Sequence, residues 1–185
     1  MRERNSDPRR LDVRGFSRDE RNLQGEWPLA GFERLSTSLL SSPKDCARVA
    51  TWSAAGSERA EPGADPQIWL HLQAALEVTL QCQRCLKPMT GSLTIDRRFR
   101  FVADAAQAER IDEECEDDVL VLERHHDLHQ LLEDELILAL PLVPRHETCP
   151  EPLPMGASAA ADDEVPERPN PFAVLASLRG DGKLN

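Results

Sequence analysis

Cys82-Gln83-Arg84-Cys85 stands between two stretches that both have the composition of β-strands, and this placement decides how the chain is read. Ile68-Trp69-Leu70-His71-Leu72 and Leu76-Glu77-Val78-Thr79-Leu80 come before it. Leu93-Thr94-Ile95 comes after, leading through Asp96-Arg97-Arg98 to Phe99-Arg100-Phe101-Val102. Branched and aromatic side chains suit a pleated, half-buried surface, so the expectation is a hairpin with the cysteines at its tip. Two sulfurs spaced this way can reach one metal ion. A second pair with the same spacing, His146-Glu147-Thr148-Cys149, lies about sixty residues downstream. Cys82, Cys85, His146 and Cys149 then supply three sulfurs and an imidazole, a tetrahedral set that suits a structural zinc. Such a site staples a fold and leaves no open position for chemistry.

Outward from the hairpin, Asn22-Leu23-Gln24-Gly25-Glu26-Trp27-Pro28-Leu29 alternates as a half-buried strand does. Pro28 confines that strand to an edge or an end. Phe32, Leu35, Leu39 and Leu40 recur at helical spacing, giving a short helix that stops before Pro43. Cys46 to Ser53 reads as a strand, Glu58 to Pro66 as a loop, 103–118 as an acidic, Ala-rich connection and 119–122 as a short strand. Asp127 can cap a helix, with Gln130 completing a capping-box-like pair. Leu128, Leu131, Leu132, Leu136 and Leu140 form its apolar stripe, and Pro141 and Pro144 end it, aiming the chain at His146.

Residues 150–169 shift to Pro, Ala and acid, as a linker does. Asn170 as cap, Pro171 at the first helical position and Gly180 past the end then punctuate a short helix with Phe172, Leu175 and Leu178 on one side. Two turns of isolated helix are unstable in water, so it must dock on this domain or on a partner. The expected fold is α+β: an antiparallel β-sheet or partly closed barrel with a CxxC-tipped hairpin, one main amphipathic helix and a short C-terminal helix. Its expected divisions are a mobile Arg-rich arm (1–20), an α+β core (21–149), a linker (150–169) and a docking helix (170–180).

A formal charge of −11 over 185 residues opposes indiscriminate attraction to phosphate or to an anionic membrane. The charge is unevenly spread. Val102 to Leu136 holds 13 acidic residues against Arg110 and Arg124, whereas Met1 to Arg21 holds seven arginines against five acids. Arg84, Lys87, Arg97, Arg98 and Arg100 gather around the hairpin as candidate RNA contacts. Glu133, Asp134 and Glu135, together with Phe172, Leu175 and Leu178, are candidate partner contacts, the acids favouring a basic protein. Five cysteines without an apolar leader stretch point away from a disulfide-framed secreted protein. No apolar run approaches the roughly twenty residues that span a bilayer, and the expected location is the cytoplasm.

A thioredoxin-like reading of Cys82 and Cys85 would need the first cysteine at a helix N-terminus, and strand patterns flank it instead. His125 precedes the capped helix, so it does not pair with His129 as a metal clasp; His126 or His129 is expected on the solvent side. Cys46 and Cys115 read as lone thiols. Adjacent carboxylates at 133–135 point to different helix faces, so no acid–base pair converges and no small-molecule substrate is expected.

Three stretches taken together resemble one family: Leu80-Gln81-Cys82-Gln83-Arg84-Cys85 with Lys87-Pro88, then Glu133-Asp134-Glu135-Leu136-Ile137-Leu138-Ala139-Leu140-Pro141-Leu142-Val143-Pro144, and Asn170-Pro171-Phe172-Ala173-Val174-Leu175-Ala176-Ser177-Leu178. Their order and wording are similar to the bacterial YceD family, the large ribosomal RNA subunit accumulation proteins. The resemblance implies a cytoplasmic factor for synthesis, processing or accumulation of large-subunit ribosomal RNA, with no established enzymatic reaction. Some relatives carry Cys-Pro-x-Cys-Gly after the helix; here Cys149-Pro150 matches and no second downstream cysteine follows. The fourth ligand is then open between His146, Glu147 and water. The expected function is a non-catalytic ribosome-biogenesis factor that binds precursor large-subunit ribosomal RNA, a basic ribosomal or assembly protein, or both. The alternative is a protein-only adaptor with an acidic face and no RNA contact.

Overall fold

The computed structural model describes residues 7–40, 47–60, 63, 65–112 and 117–151. Cys46, Cys115 and the terminal segment with Phe172, Leu175 and Leu178 lie outside the described residues. The chain divides after Thr148 into two units; the first carries every element named below, and of the second only Cys149–Glu151 are described.

Five strands lie in sequence order in one open sheet: β1 (Asn22–Pro28), β2 (Val49–Arg59), β3 (Gln67–Gln81), β4 (Pro88–Val102) and β5 (Asp118–Val121). The first four pair antiparallel, and β5 runs parallel to β4. The α+β class is as expected, and the sheet is open and not a barrel. A parallel neighbour needs a crossover, and the connection 103–117 supplies one by forming α3 (Ala105–Asp112). That helix departs from the expected plain acidic connection. Its start is a reciprocal cap: Asp104 accepts from the Gln107 N–H at 2.8 Å, while Gln107 Oε1 reaches back to the Ala103 N–H at 3.2 Å.

β3 and β4 are 15 residues each and stay in register from Ile68↔Phe101 to Gln81↔Pro88. At about 3.3 Å per residue the hairpin is roughly 50 Å long. Leu70, Leu72, Ala74, Leu76 and Val78 of β3 alternate onto the same face as Leu93, Ile95, Phe99 and Phe101 of β4, and all are buried. α1 (Val13–Arg18), α2 (Glu33–Thr37) and α4 (Leu128–Leu138) cover that face with Val13, Phe16, Leu35, Leu128, Leu132 and Leu136. The other face carries Thr51, Gln73, Ala75, Glu77, Thr94 and Asp96, all exposed.

Residues 7–20 depart from the expected mobile arm. Leu11 exchanges backbone hydrogen bonds with His126 at 2.9 Å each way, Asp12 caps α1 by accepting from the Gly15 N–H at 3.1 Å, and Leu11, Val13 and Phe16 enter the core. Gly56 makes this docking possible. A Cβ there would stand 2.6 Å from Phe16 Cδ1 and 2.8 Å from the Ser17 Cα, so only glycine lets α1 lie directly on β2. Asp127 caps α4 as expected, accepting from the N–H groups of His129 (2.8 Å) and Gln130 (3.2 Å). Among the described residues no helix is long and apolar enough to cross a membrane.

Candidate metal centre

Six residues, 82–87, join β3 to β4 in a tight knuckle. The Cys82 N–H donates to the Lys87 carbonyl at 3.0 Å and the Leu86 N–H to the Cys82 carbonyl at 2.8 Å. Closing the loop forces Leu86 into the left-handed region at φ 59°. A residue with a Cβ gives up roughly 1–2 kcal/mol to sit there, so the surrounding bonds hold a strained backbone. The knuckle turns N–H groups inward on the Cys82 sulfur. Burial alone would raise that thiol's pKa, but the backbone N–H groups of His146, Cys85 and Arg84, with the Cys85 side chain, outweigh it and bring it from 9.0 to about 5. The thiolate is the form that binds metal.

The segment after α4 is tied down beside the knuckle by backbone bonds. The Gln83 N–H donates to the Pro144 carbonyl at 2.8 Å, and Arg84 Nη2 donates to the carbonyls of His146 (3.0 Å) and Glu147 (3.3 Å). The His146 N–H points at Cys82 Sγ at 3.4 Å. The ring is oriented from both sides: Nδ1 lies 3.4 Å from Cys85 Sγ, and Nε2 lies 3.2 Å from the Pro88 carbonyl. A carbonyl only accepts, so Nε2 holds the proton and Nδ1 presents its lone pair to the sulfurs. Metal-bound histidines are fixed in this manner, the outer N–H on a carbonyl.

The ligand atoms of Cys82, Cys85, His146 and Cys149 all lie within 4.8 Å of one another, close enough to hold one metal ion. Tetrahedral zinc, with bonds of about 2.3 Å to sulfur and 2.0 Å to nitrogen, places its sulfurs about 3.8 Å apart and sulfur from nitrogen about 3.5 Å. The Cys85–His146 separation of 3.4 Å meets that requirement. Three sulfurs and one imidazole are the chemistry zinc prefers, and of the candidates for a fourth ligand His146 joins the group while Glu147 does not.

The remaining candidates separate by location. Arg84 holds the 146–147 carbonyls, and Lys87 is exposed on the knuckle. Arg97 shares the helix-covered face with Leu72, where its Nε lies 3.5 Å from Glu135 Oε2 and its Nη1 3.9 Å from Asp118 Oδ2. It braces α4 with a side chain that stays about half exposed. Arg98 and Arg100 flank it on the open face.

The acidic edge expected at 133–135 turns inward at two of its three residues. α2 begins at Phe32, which has no side-chain cap, and Glu133 of α4 supplies one from across the core. Glu133 Oε1 accepts from the N–H groups of Arg34 (2.7 Å) and Leu35 (3.2 Å), and Oε2 from Arg34 Nε (3.1 Å). Burial would raise its pKa; the Leu35 N–H and the Arg34 groups more than offset this and lower it. Glu135 is buried beside Arg97, and burial outweighs that arginine to raise its pKa. Asp134 alone looks outward, bonded to Arg34 Nη1 at 2.6 Å. One of His126 and His129 is expected on the solvent side; His129 is buried and His126 is half-buried. His126 Nε2 accepts from the Glu123 N–H at 2.9 Å; the His129 ring stacks on Phe32 at 4.5 Å and meets Trp27 edge-on at 4.9 Å. Burial lowers both imidazole pKa values.

The family described as "Large ribosomal RNA subunit accumulation protein YceD" matches residues 70–179, from the cysteine hairpin to the terminal segment. The large ribosomal RNA subunit accumulation protein YceD of Haemophilus influenzae is 37% identical over 119 residues, which cover 62% of this chain and 68% of that relative. No solved structure matches.

Proposed function

Because the chain belongs to the YceD family of large ribosomal RNA subunit accumulation proteins, we propose that it is a non-catalytic ribosome-biogenesis factor. In this reading it acts in the cytoplasm and supports accumulation of large-subunit ribosomal RNA by binding the precursor RNA directly. Family membership is the observation that carries the reading. The inward turn of Glu133 and Glu135 supports the RNA side of it. Those carboxylates are spent on α2 and Arg97, which shrinks the acidic surface a basic protein would need.

We assign Cys82, Cys85, His146 and Cys149 to one structural zinc. When bound, zinc cross-links the hairpin tip to the segment that follows α4, and such coupling contributes directly to folding stability. The chain's own residues prepare the site: knuckle N–H groups favour the Cys82 thiolate, and the Pro88 carbonyl engages His146 Nε2, leaving Nδ1 facing Cys85.

The functional reading is tested by capture of the tagged full chain from cell extract at physiological salt, half of it treated with nuclease. Large-subunit precursor RNA in the untreated half, with associated proteins lost after nuclease, is the expected result. One basic protein that persists after nuclease, with no precursor RNA in the untreated half, would replace the reading with a protein-only adaptor.

A further inference from the structure

The register gathers three arginines around one tryptophan on the open face of the sheet. Trp69 of β3 lies between Ser57 of β2 and Arg100 of β4; two residues along, His71 lies between Ala55 and Arg98. Arg59, at the end of β2, sets its guanidinium carbon 4.5 Å from the centre of the Trp69 ring. Trp69 is only 5% exposed although no described helix covers its face of the sheet. It is therefore the floor that fixes the Arg59 guanidinium, and not a platform on which a base stacks. Ala55, Ser57, Arg59, Trp69, His71 and Arg98 line one shallow hollow of about 230 Å³. Residues as small as Ala55 and Ser57 keep its floor low enough for a chain to lie across it.

The acids of this face offset the cluster only in part. Asp96 is held by His71 at 2.5 Å and Gln73 at 3.2 Å, and it acts on Arg98 through space. Glu77 is six residues from His71 along β3, about 20 Å away. That is more than twice the Debye length of about 8 Å at physiological ionic strength, so its charge is screened from the arginines.

We infer that Arg59, Arg98 and Arg100, with His71, form the surface on which this chain binds the backbone of single-stranded RNA. The inference rests on the RNA-binding reading above and moves the contact from the hairpin tip to the sheet face. Charge complementarity selects phosphate. The compactness of the cluster selects a single strand, because proteins that read an RNA duplex by shape spread their contacts over successive grooves, whereas single strands follow a short basic track.

The test is fluorescence anisotropy of the zinc-loaded full chain with a labelled single-stranded oligouridine and with an RNA duplex of equal length, at several salt concentrations. The wild type is expected to prefer the single strand. Arg98→Gln with Arg100→Gln should weaken that binding about tenfold or more and lower the salt slope by roughly 1.4, about 0.7 per lost phosphate contact on a single strand. Arg98→Gln alone, at an exposed position, should lower it by about 0.7 with the unfolding midpoint unchanged. Lys87→Gln, at an exposed position on the knuckle, should bind as wild type. Loss of binding in the Lys87 variant but not in the Arg98/Arg100 variant would overturn the assignment and leave the RNA reading standing. Equal affinity for the duplex would overturn the single-strand assignment. Absence of binding to either RNA would overturn both the assignment and the reading beneath it.

Discussion

Leu86 is the residue at which the knuckle's geometry and its sequence disagree. Its φ of 59° suits glycine, yet the position holds a branched side chain that is 63% exposed and contributes little packing. Leu86→Gly is expected to leave stability unchanged or raise it by about 1 kcal/mol, the relief being partly offset by glycine's freedom in the unfolded chain. Leu86→Val, branched at Cβ, should lower it by about 1 kcal/mol or more; urea unfolding of both variants checks this. His129 makes the pH prediction at this scale. Its ring is buried between Phe32 and Trp27, and its folded pKa lies below 6.5. The unfolded chain therefore takes up a proton first as the pH falls. Stability is expected to drop as the pH falls through about 6.5 and to level off below the folded pKa, and His129→Phe should flatten that part of the curve. The ligand pairs were legible because each spacing is local and cysteine at a hairpin tip has few other uses. The burial of His129 was not, since it depends on where Trp27 and Phe32 arrive from elsewhere in the chain.

At the scale of elements, long-range contacts replace what local sequence lacks. α2 starts without a capping side chain of its own, and Glu133, about a hundred residues later in the chain, caps it. Glu133→Ala should cost about 2 kcal/mol, the size of hydrogen bonds to a charged group, and melt α2 first, as hydrogen exchange at Leu35 and Ser36 would report. Its depressed pKa means this contribution is present above about 4.5 and lost as the pH falls through the folded value. Gly56→Ala places a methyl group against the Phe16 ring and the Ser17 backbone, and overpacking of this kind costs about 1–3 kcal/mol. β1 was readable from alternation, β5 from its short apolar run and α4 from Asp127 and its leucine stripe. α3 was missed although Asp104 and Gln107 carry a capping signal, because the acidic run around them reads as solvated loop. α1 was missed because five charges surround its three anchoring residues, Leu11, Val13 and Phe16.

At the scale of the first unit, one face of the sheet is covered by helices and, among the described residues, the other is not, and the charge pattern follows that division. Arg97 lies on the closed side and meets Glu135, while on the other side Arg98 lines the hollow over Trp69 and Arg100 is paired with Trp69 across the strands. Sequence alone grouped these arginines because they are neighbours in the chain; only the register of β3 against β4 separates a structural arginine from two outward ones. The hairpin carries its cysteines to the far end of the sheet, and the proline-punctuated exit from α4 returns the chain to them. One metal ion at that meeting point is the claim on which the architecture of this end depends. It is tested most directly by metal analysis and native mass spectrometry of the freshly purified full chain, beside Cys82→Ser. One zinc per chain in the wild type, absent from the variant and accompanied by a fall in its melting temperature, is the expected result. A wild-type chain that carries no zinc, takes up none when it is supplied, and melts at the same temperature as Cys82→Ser would contradict it.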